Sequence, residues 1–118
     1  MKRDLNLMRQ IMLDLEEYDI IQRDIAEIYP NKTIEEWTKI SYHVKLLAGA
    51  GYITLDQPLL GYGFYNYVIC DITNQGHDFI SMTTNSSIWN KMLPKLEAIG
   101  GVITIEIVKA LFSKTIGM

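Results

Sequence analysis

The segment ISYHVKLLAGAGYI, residues 40–53, passes from the end of a helix directly into the start of a strand. The apolar positions that lead into it recur at spacings of 3, 4 and 3: Trp37, Ile40, Val44 and Leu47. This spacing places them on one buried helical face. Gly49 and Gly51 stop the helix, and residues 52–55 then form a short predicted strand. A helix that ends on glycine and leads at once into a strand is typical of the helix-turn-helix and wing of a winged helix.

The flanking segments fit the same arrangement. Asp4 is the predicted N-cap of a first helix that fades near residues 17–19. Thr33, with Glu36 three residues later, forms a capping box at the start of a helix over residues 34–48. Residues 64–72, FYNYVICDI, are aromatic and β-branched and predict a second strand. The two strands form a hairpin with a long tip, which is the wing.

Residues 20–29 allow two interpretations. Ile21, Ile25 and Ile28 follow a helical period, but the β-branched content and the short length also allow a strand. Further helices are predicted after Thr73 or Asn74, after Asn85 or Ser86, and after Thr104.

We therefore predict an α+β, mostly helical fold: a winged helix-turn-helix with a two- or three-stranded wing sheet and extra C-terminal helices. Residues 1–118 form one winged-helix domain, with a core over 4–83 and a helical extension over 85–116. At 118 residues the chain is long enough for one real core.

Composition narrows the functional class. Apolar residues make up 48% and charged residues 21% of the chain, as in an ordinary globular protein. The longest apolar runs are too short for a membrane span. A single cysteine, Cys70, excludes an internal disulfide framework and predicts a cytoplasmic location. The net charge of −3 counts against nucleic-acid binding, because phosphate neutralisation usually requires a basic protein.

The sequence contains no catalytic constellation. His77 and Asp78 are adjacent, so on a helix they point in different directions, and a buried hydrogen-bonded histidine is favoured over a dyad. His43 could contact a phosphate, but a packed, hydrogen-bonded residue is favoured. Two histidines and one cysteine offer no metal-ligand cluster, and Cys70 is predicted to be a small core residue. We predict no enzyme activity, no metal and no cofactor.

Two functions remain. The first is DNA binding by a dimeric transcriptional regulator, in which the 34–48 helix enters the major groove. The predicted contacts are Lys32, Thr33, Lys39, Tyr42 and Lys45, with Gln57, Tyr62 and Asn66 in the wing. Glu35, Glu36 and a wing tip without lysine or arginine oppose it.

The alternative is a winged-helix module that docks a host protein without binding DNA. The aromatic residues of the wing fit either base stacking or, more simply, strand formation. The terminal helices carry apolar residues on more than one side, which predicts a homodimer. Its expected interface is Leu7, Ile11, Ile107, Leu111 and Phe112.

The chain also resembles an uncharacterised family of bacterial and phage proteins, domain of unknown function 2513. The matching segments are residues 1–5, 42–47, 50–53, 72–73, 76–79, 89–91 and 100–101. The resemblance implies a winged-helix-like fold and frequent occurrence in phages and prophages, with no established activity and no site residues to transfer. Residues 20–32 and 57–63 match no pattern of this family.

Overall fold

The computed structural model describes residues 1–117. Six helices and three short strands follow one another along the chain: α1 (Leu5–Glu16), β1 (Arg23–Asp24), α2 (Ile25–Ile28), α3 (Ile34–Gly49), β2 (Ile53–Leu55), β3 (Val68–Ile72), α4 (Asn74–Thr83), α5 (Ser86–Glu97) and α6 (Ile105–Ile116). The fold is α+β and mostly helical, as predicted. In the described part of the chain, no helix is both long and apolar enough to cross a membrane.

The three strands form one antiparallel sheet in the order β1-β3-β2. Ile53 pairs with Ile72 and Thr54 with Asp71, and the register then shifts before Leu55 pairs with Ile69. β1 lies on the other side of β3, where Arg23 pairs with Ile69. The small sheet therefore joins the segment before α2 to the hairpin that follows α3.

The predicted strand over residues 64–72 is only half correct. β3 begins at Val68, and the preceding residues belong to a long β2–β3 connection, residues 56–67, held by one isolated bridge between Leu59 and Asn66. Gly61 and Gly63 adopt positive φ in it. The Asn66 side chain turns inward toward α2, while its backbone carbonyl oxygen accepts from the Leu59 N–H across the bridge.

Residues 20–29 contain both of the predicted alternatives, a strand and then a helical turn. Arg23 and Asp24 pair with β3, and Asp24 then caps the single turn of α2. Its carboxylate accepts from the Glu27 N–H, while the Glu27 side chain accepts from the Asp24 N–H. This capping box ends the strand after two residues because it commits the following backbone to a helical turn.

The predicted caps of the long helices are confirmed. Asp4, Thr33, Thr73, Asn85 and Thr104 each accept a hydrogen bond from the third backbone N–H of their helix. A polar oxygen at this position satisfies an N–H that has no partner within the helix.

The C-terminal helices complete the core of the preceding elements. Trp89 of α5 is buried and donates from Nε1 to Asn6 of α1 over 2.8 Å. Tyr52 is also buried, and its hydroxyl donates to the carbonyl oxygen of Ile103 over 2.7 Å. These links join α1, and the residue before β2, to residues beyond 85, so the extension is packed on the rest of the chain.

Candidate interaction surface of α3 and the β2–β3 connection

The inward face of α3 packs as predicted. Ile40, Val44 and Leu47 are buried, while Trp37 is half-buried and its ring stacks on Phe64 at a centroid distance of 5.2 Å. This stack joins the first half of α3 to the connection. The helix and the connection therefore form one continuous surface.

The outward face of α3 presents little free positive charge. Lys32 Nζ lies 4.0 Å from a carboxylate oxygen of Glu36, and Lys39 Nζ lies 3.5 Å from one of Asp4. In the described part of the chain, Lys45 has no carboxylate within ion-pair distance. Of the three lysines predicted to contact DNA, only this one has no carboxylate partner.

The first turn of α3 is acidic. Glu35 and Glu36 lie there, and both are exposed. The Thr33 hydroxyl, predicted to contact DNA, accepts from the Glu36 N–H over 3.1 Å. The backbone N–H of Thr33 donates to the Glu36 carboxylate over 3.0 Å and holds the pKa of that carboxyl below its ordinary value. Glu36 is therefore held ionised at the leading end of the helix, where a phosphate would be repelled.

The prediction that Asn66 contacts DNA is wrong. Its side chain is 0% exposed. Oδ1 accepts from the Ala26 N–H over 3.1 Å, and Nδ2 donates to Asp24 Oδ1 over 3.2 Å. Asn66 thus anchors the connection to α2 by satisfying buried polar groups. The sequence did not reveal this role because Ala26 lies 40 residues away.

The connection itself exposes apolar side chains. Leu60 is 92% and Tyr65 is 69% exposed, and Leu59 and Tyr62 are exposed as well. Ile34 of α3 adjoins them, because its Cδ1 lies beside Gly63. We call these five residues the apolar patch: Ile34, Leu59, Leu60, Tyr62 and Tyr65. Gln57 is exposed at the base of the same connection, and no residue between 56 and 67 is cationic.

A cleft of about 530 Å³ separates α3 from the end of the connection. Its lining includes Ser41, Tyr42, Lys45, Phe64, Tyr65 and Tyr67. The Ser41 hydroxyl donates to the Tyr65 carbonyl oxygen over 2.6 Å and ties the two walls together. Tyr42 and Lys45, two of the predicted DNA contacts, are brought together here.

His43 is a packed, hydrogen-bonded residue, as the sequence analysis favoured. It is 0% exposed, Nε2 accepts from the Asp4 N–H over 2.8 Å, and Nδ1 lies 2.7 Å from the Lys39 carbonyl oxygen. The neutral tautomer with hydrogen on Nδ1 satisfies both contacts. Burial lowers the pKa of His43 from its ordinary value of 6.5.

This pKa shift predicts a loss of stability in mild acid. A histidine whose pKa is lowered by folding binds its proton more readily in the unfolded chain, so the free energy of unfolding falls as pH drops below about 6.5. Urea unfolding at pH 7.5 and 5.5 measures the effect. The His43→Gln variant should show a flatter pH dependence, whereas His77→Gln, at an exposed position, should match the wild type. Equal slopes for all three chains would contradict the assignment.

Other sequence predictions are corrected by burial. His77 is exposed rather than buried, and its neighbour Asp78 pairs with Lys109 at 3.5 Å. Cys70 is half-buried, so it is not a full core residue. In residues 1–117, no three His, Cys, Asp or Glu side chains are grouped to hold a metal ion.

One residue of the expected dimer interface is excluded. Ile11 is 0% exposed inside the chain, so it cannot contact a second copy. The other four are half-buried against the core: Leu7, Ile107, Leu111 and Phe112.

Leu59 and Leu60 were not singled out by the sequence. Leucines in an exposed loop follow no periodic pattern that a sequence could show. The one signal that could have indicated their exposure was their position beside Gly61-Tyr62-Gly63, in a connection without cations.

A family model described as "Hypothetical protein (DUF2513)" matches residues 2–102, which include every element before α6. No curated protein and no solved structure matches the chain. Because the family model covers most of its length, the chain belongs to the DUF2513 family.

Proposed function

We propose that this chain is a cytoplasmic winged-helix protein that docks another protein through its apolar patch. The order α1-β1-α2-α3-β2-β3, with a sheet ordered β1-β3-β2, supports the winged-helix assignment. In this assignment α2 and α3 are the helix-turn-helix, and the β2–β3 connection is the wing.

The apolar patch carries the functional proposal. Five apolar or aromatic side chains are exposed together, and three of them line a shallow cleft of about 300 Å³ with Pro58 and Gly63: Leu59, Leu60 and Tyr65. Contiguous exposed apolar surface marks sites of protein association. Tyrosine and leucine side chains of this kind would fill an apolar surface on a partner.

The charges beside the apolar patch indicate which charges the partner carries around its own apolar surface. Ile34 is followed directly by Glu35 and Glu36, and the connection contributes Asp56 but no cation. A partner with an apolar centre and lysine or arginine at its rim would complement this arrangement.

DNA binding is the second candidate, supported by the winged-helix order and by Tyr42 and Lys45 on the open side of α3. We place it second because Glu35 and Glu36 occupy the leading turn of α3, where a recognition helix meets bases. The ion pairs of Lys32 and Lys39 also reduce the charge available to phosphates.

The Leu60→Glu variant tests the docking proposal. Leu60 is almost fully exposed, so the variant should fold normally and lose a protein that wild type captures from a lysate of the native host. With that partner purified, isothermal titration should show Kd raised about 30-fold, the effect of a central interface residue.

Ile20→Glu is the matched control, because Ile20 is an exposed aliphatic residue outside the patch. It should bind the partner like wild type. If no captured protein distinguishes the two variants, the docking proposal is wrong. Fluorescence anisotropy with a mixed-sequence duplex at about 50 mM salt tests the second candidate, because binding that falls steeply with added salt selects DNA.

We also propose that the chain forms a homodimer through α6. Val102, just before α6, and Ile116, near its end, are exposed, and Leu111 and Phe112 between them are half-buried. Light scattering coupled to size exclusion should give about twice the 13.6 kDa of one chain at micromolar concentration. A mass of one chain there contradicts this proposal and leaves the patch proposal intact.

A further inference from the structure

We infer that the cleft between α3 and the end of the β2–β3 connection binds a small aromatic carboxylate. The inference rests on the shape, lining and charge of this cleft. The cleft shares Tyr65 with the apolar patch, but the titration below measures small-molecule binding by the chain alone, so its result is distinguishable from that of the docking and DNA-binding tests.

The size of the cleft suits a small molecule. Its volume of about 530 Å³ lies within the range of ligand pockets in proteins. Ser41 and Tyr65 connect its two walls by a 2.6 Å hydrogen bond. A bound molecule would therefore contact α3 and the connection together.

Aromatic rings dominate the lining. Tyr42 comes from α3, and Phe64, Tyr65 and Tyr67 come from the connection. The rings of Tyr65 and Tyr67 are 6.1 Å apart and nearly parallel, with an angle of 22°. Flat aromatic ligands gain both apolar burial and favourable ring contacts against such walls.

The polar groups indicate the charge of the ligand. The Thr38 and Ser41 hydroxyls already donate to the carbonyl oxygens of Ile34 and Tyr65. Lys45 is the only charged side chain of the lining, and in residues 1–117 no carboxylate pairs with it. Met1, which carries the α-amino group, also lines the cleft and adds positive charge there. One ammonium above aromatic walls complements a ligand with one carboxylate.

A pair of isosteric probes separates charge from apolar contact. We would titrate ¹⁵N-labelled protein with 1-naphthoate and with 1-naphthamide and follow amide chemical shifts. We expect shifts at Tyr42, Lys45 and Tyr65, and a Kd for naphthoate about 5- to 10-fold below that for naphthamide.

Lys45→Gln should reduce this difference by weakening naphthoate binding, and it should leave naphthamide binding unchanged. Lys45 is exposed, so the variant should fold. Lys91→Gln on α5, also exposed, is the matched control and should bind both probes like wild type. The inference is overturned if acid and amide bind wild type equally or Lys45→Gln binds the acid unchanged. Shifts that map elsewhere, or none at about 5 mM probe, overturn it too.

Discussion

Replacing Gly76 with alanine is expected to destabilise the protein by about 3 kcal/mol, at the upper end of the usual cost of overpacking. A Cβ at this position would lie 2.1 Å from the carbonyl oxygen of Tyr52 and 2.7 Å from Cγ2 of Ile72. The Tyr52 carbonyl is backbone and already accepts from the Thr73 N–H, so it cannot move without separating the start of α4 from the residue that precedes β2. Urea unfolding followed by circular dichroism measures the loss.

Gly49→Ala is the matched control for this prediction. Gly49 is also a helical glycine, but nothing lies within 4 Å of an added Cβ there. Alanine should therefore stabilise the protein by about 0.5–1 kcal/mol through its higher helix propensity. A Gly76→Ala protein as stable as Gly49→Ala would disprove the close approach of α4 to the Tyr52 carbonyl.

Replacing Asn66 with aspartate is expected to cost about 3–5 kcal/mol at neutral pH, as an unpaired buried charge does. The amide donor to Asp24 Oδ1 at 3.2 Å would become a second carboxylate. Burial alone would raise the pKa of Asp24, but hydrogen bonds from Glu27, Asn66 and Ala26 hold it below its ordinary value. Asp24 is therefore ionised, and the two carboxylates repel.

The variant also has a pH signature that simple loss of packing lacks. Repulsion between the two carboxylates raises the pKa of one of them in the folded state above its value in the unfolded chain. The loss in free energy of unfolding therefore grows as the pH rises from the unfolded-state pKa to the folded-state pKa. The Asn66→Asp deficit measured by urea unfolding should thus be smaller at pH 4 than at pH 7. The control is Asn90→Asp on the exposed side of α5, whose free energy of unfolding should stay within about 0.5 kcal/mol of wild type at both pH values. A pH-independent deficit for Asn66→Asp would contradict this arrangement.

Much of the fold could be predicted because its signals are local. The capping box of Thr33 and Glu36 and the spacing of Ile40, Val44 and Leu47 involve residues within one or two helical turns. Such patterns depend on backbone geometry and helical period alone. They located α3 to within one residue of its end.

The candidate surface was predicted less well because its chemistry depends on distant partners. Lys39 is a free cation in the sequence, but it pairs with Asp4, 35 positions earlier. From the sequence, Asn66 is predicted to be exposed, but the structure buries its side chain beside the Ala26 N–H. A residue's exposure and charge balance are set by neighbours in space, which periodicity does not identify.

Local sequence patterns were enough to predict the long helices, their caps and the helix-to-strand junction at residues 40–53, because these features depend on neighbours a few positions apart. Contacts between distant residues set three other features: residues 56–67 leave the sheet, most of their leucines and tyrosines face solvent, and Tyr42 and Lys45 share an aromatic cleft with Phe64, Tyr65 and Tyr67. Such contacts follow from the satisfaction of buried polar groups by partners distant in sequence: the Asn66 side chain lies inward, where it accepts from the Ala26 N–H and donates to Asp24.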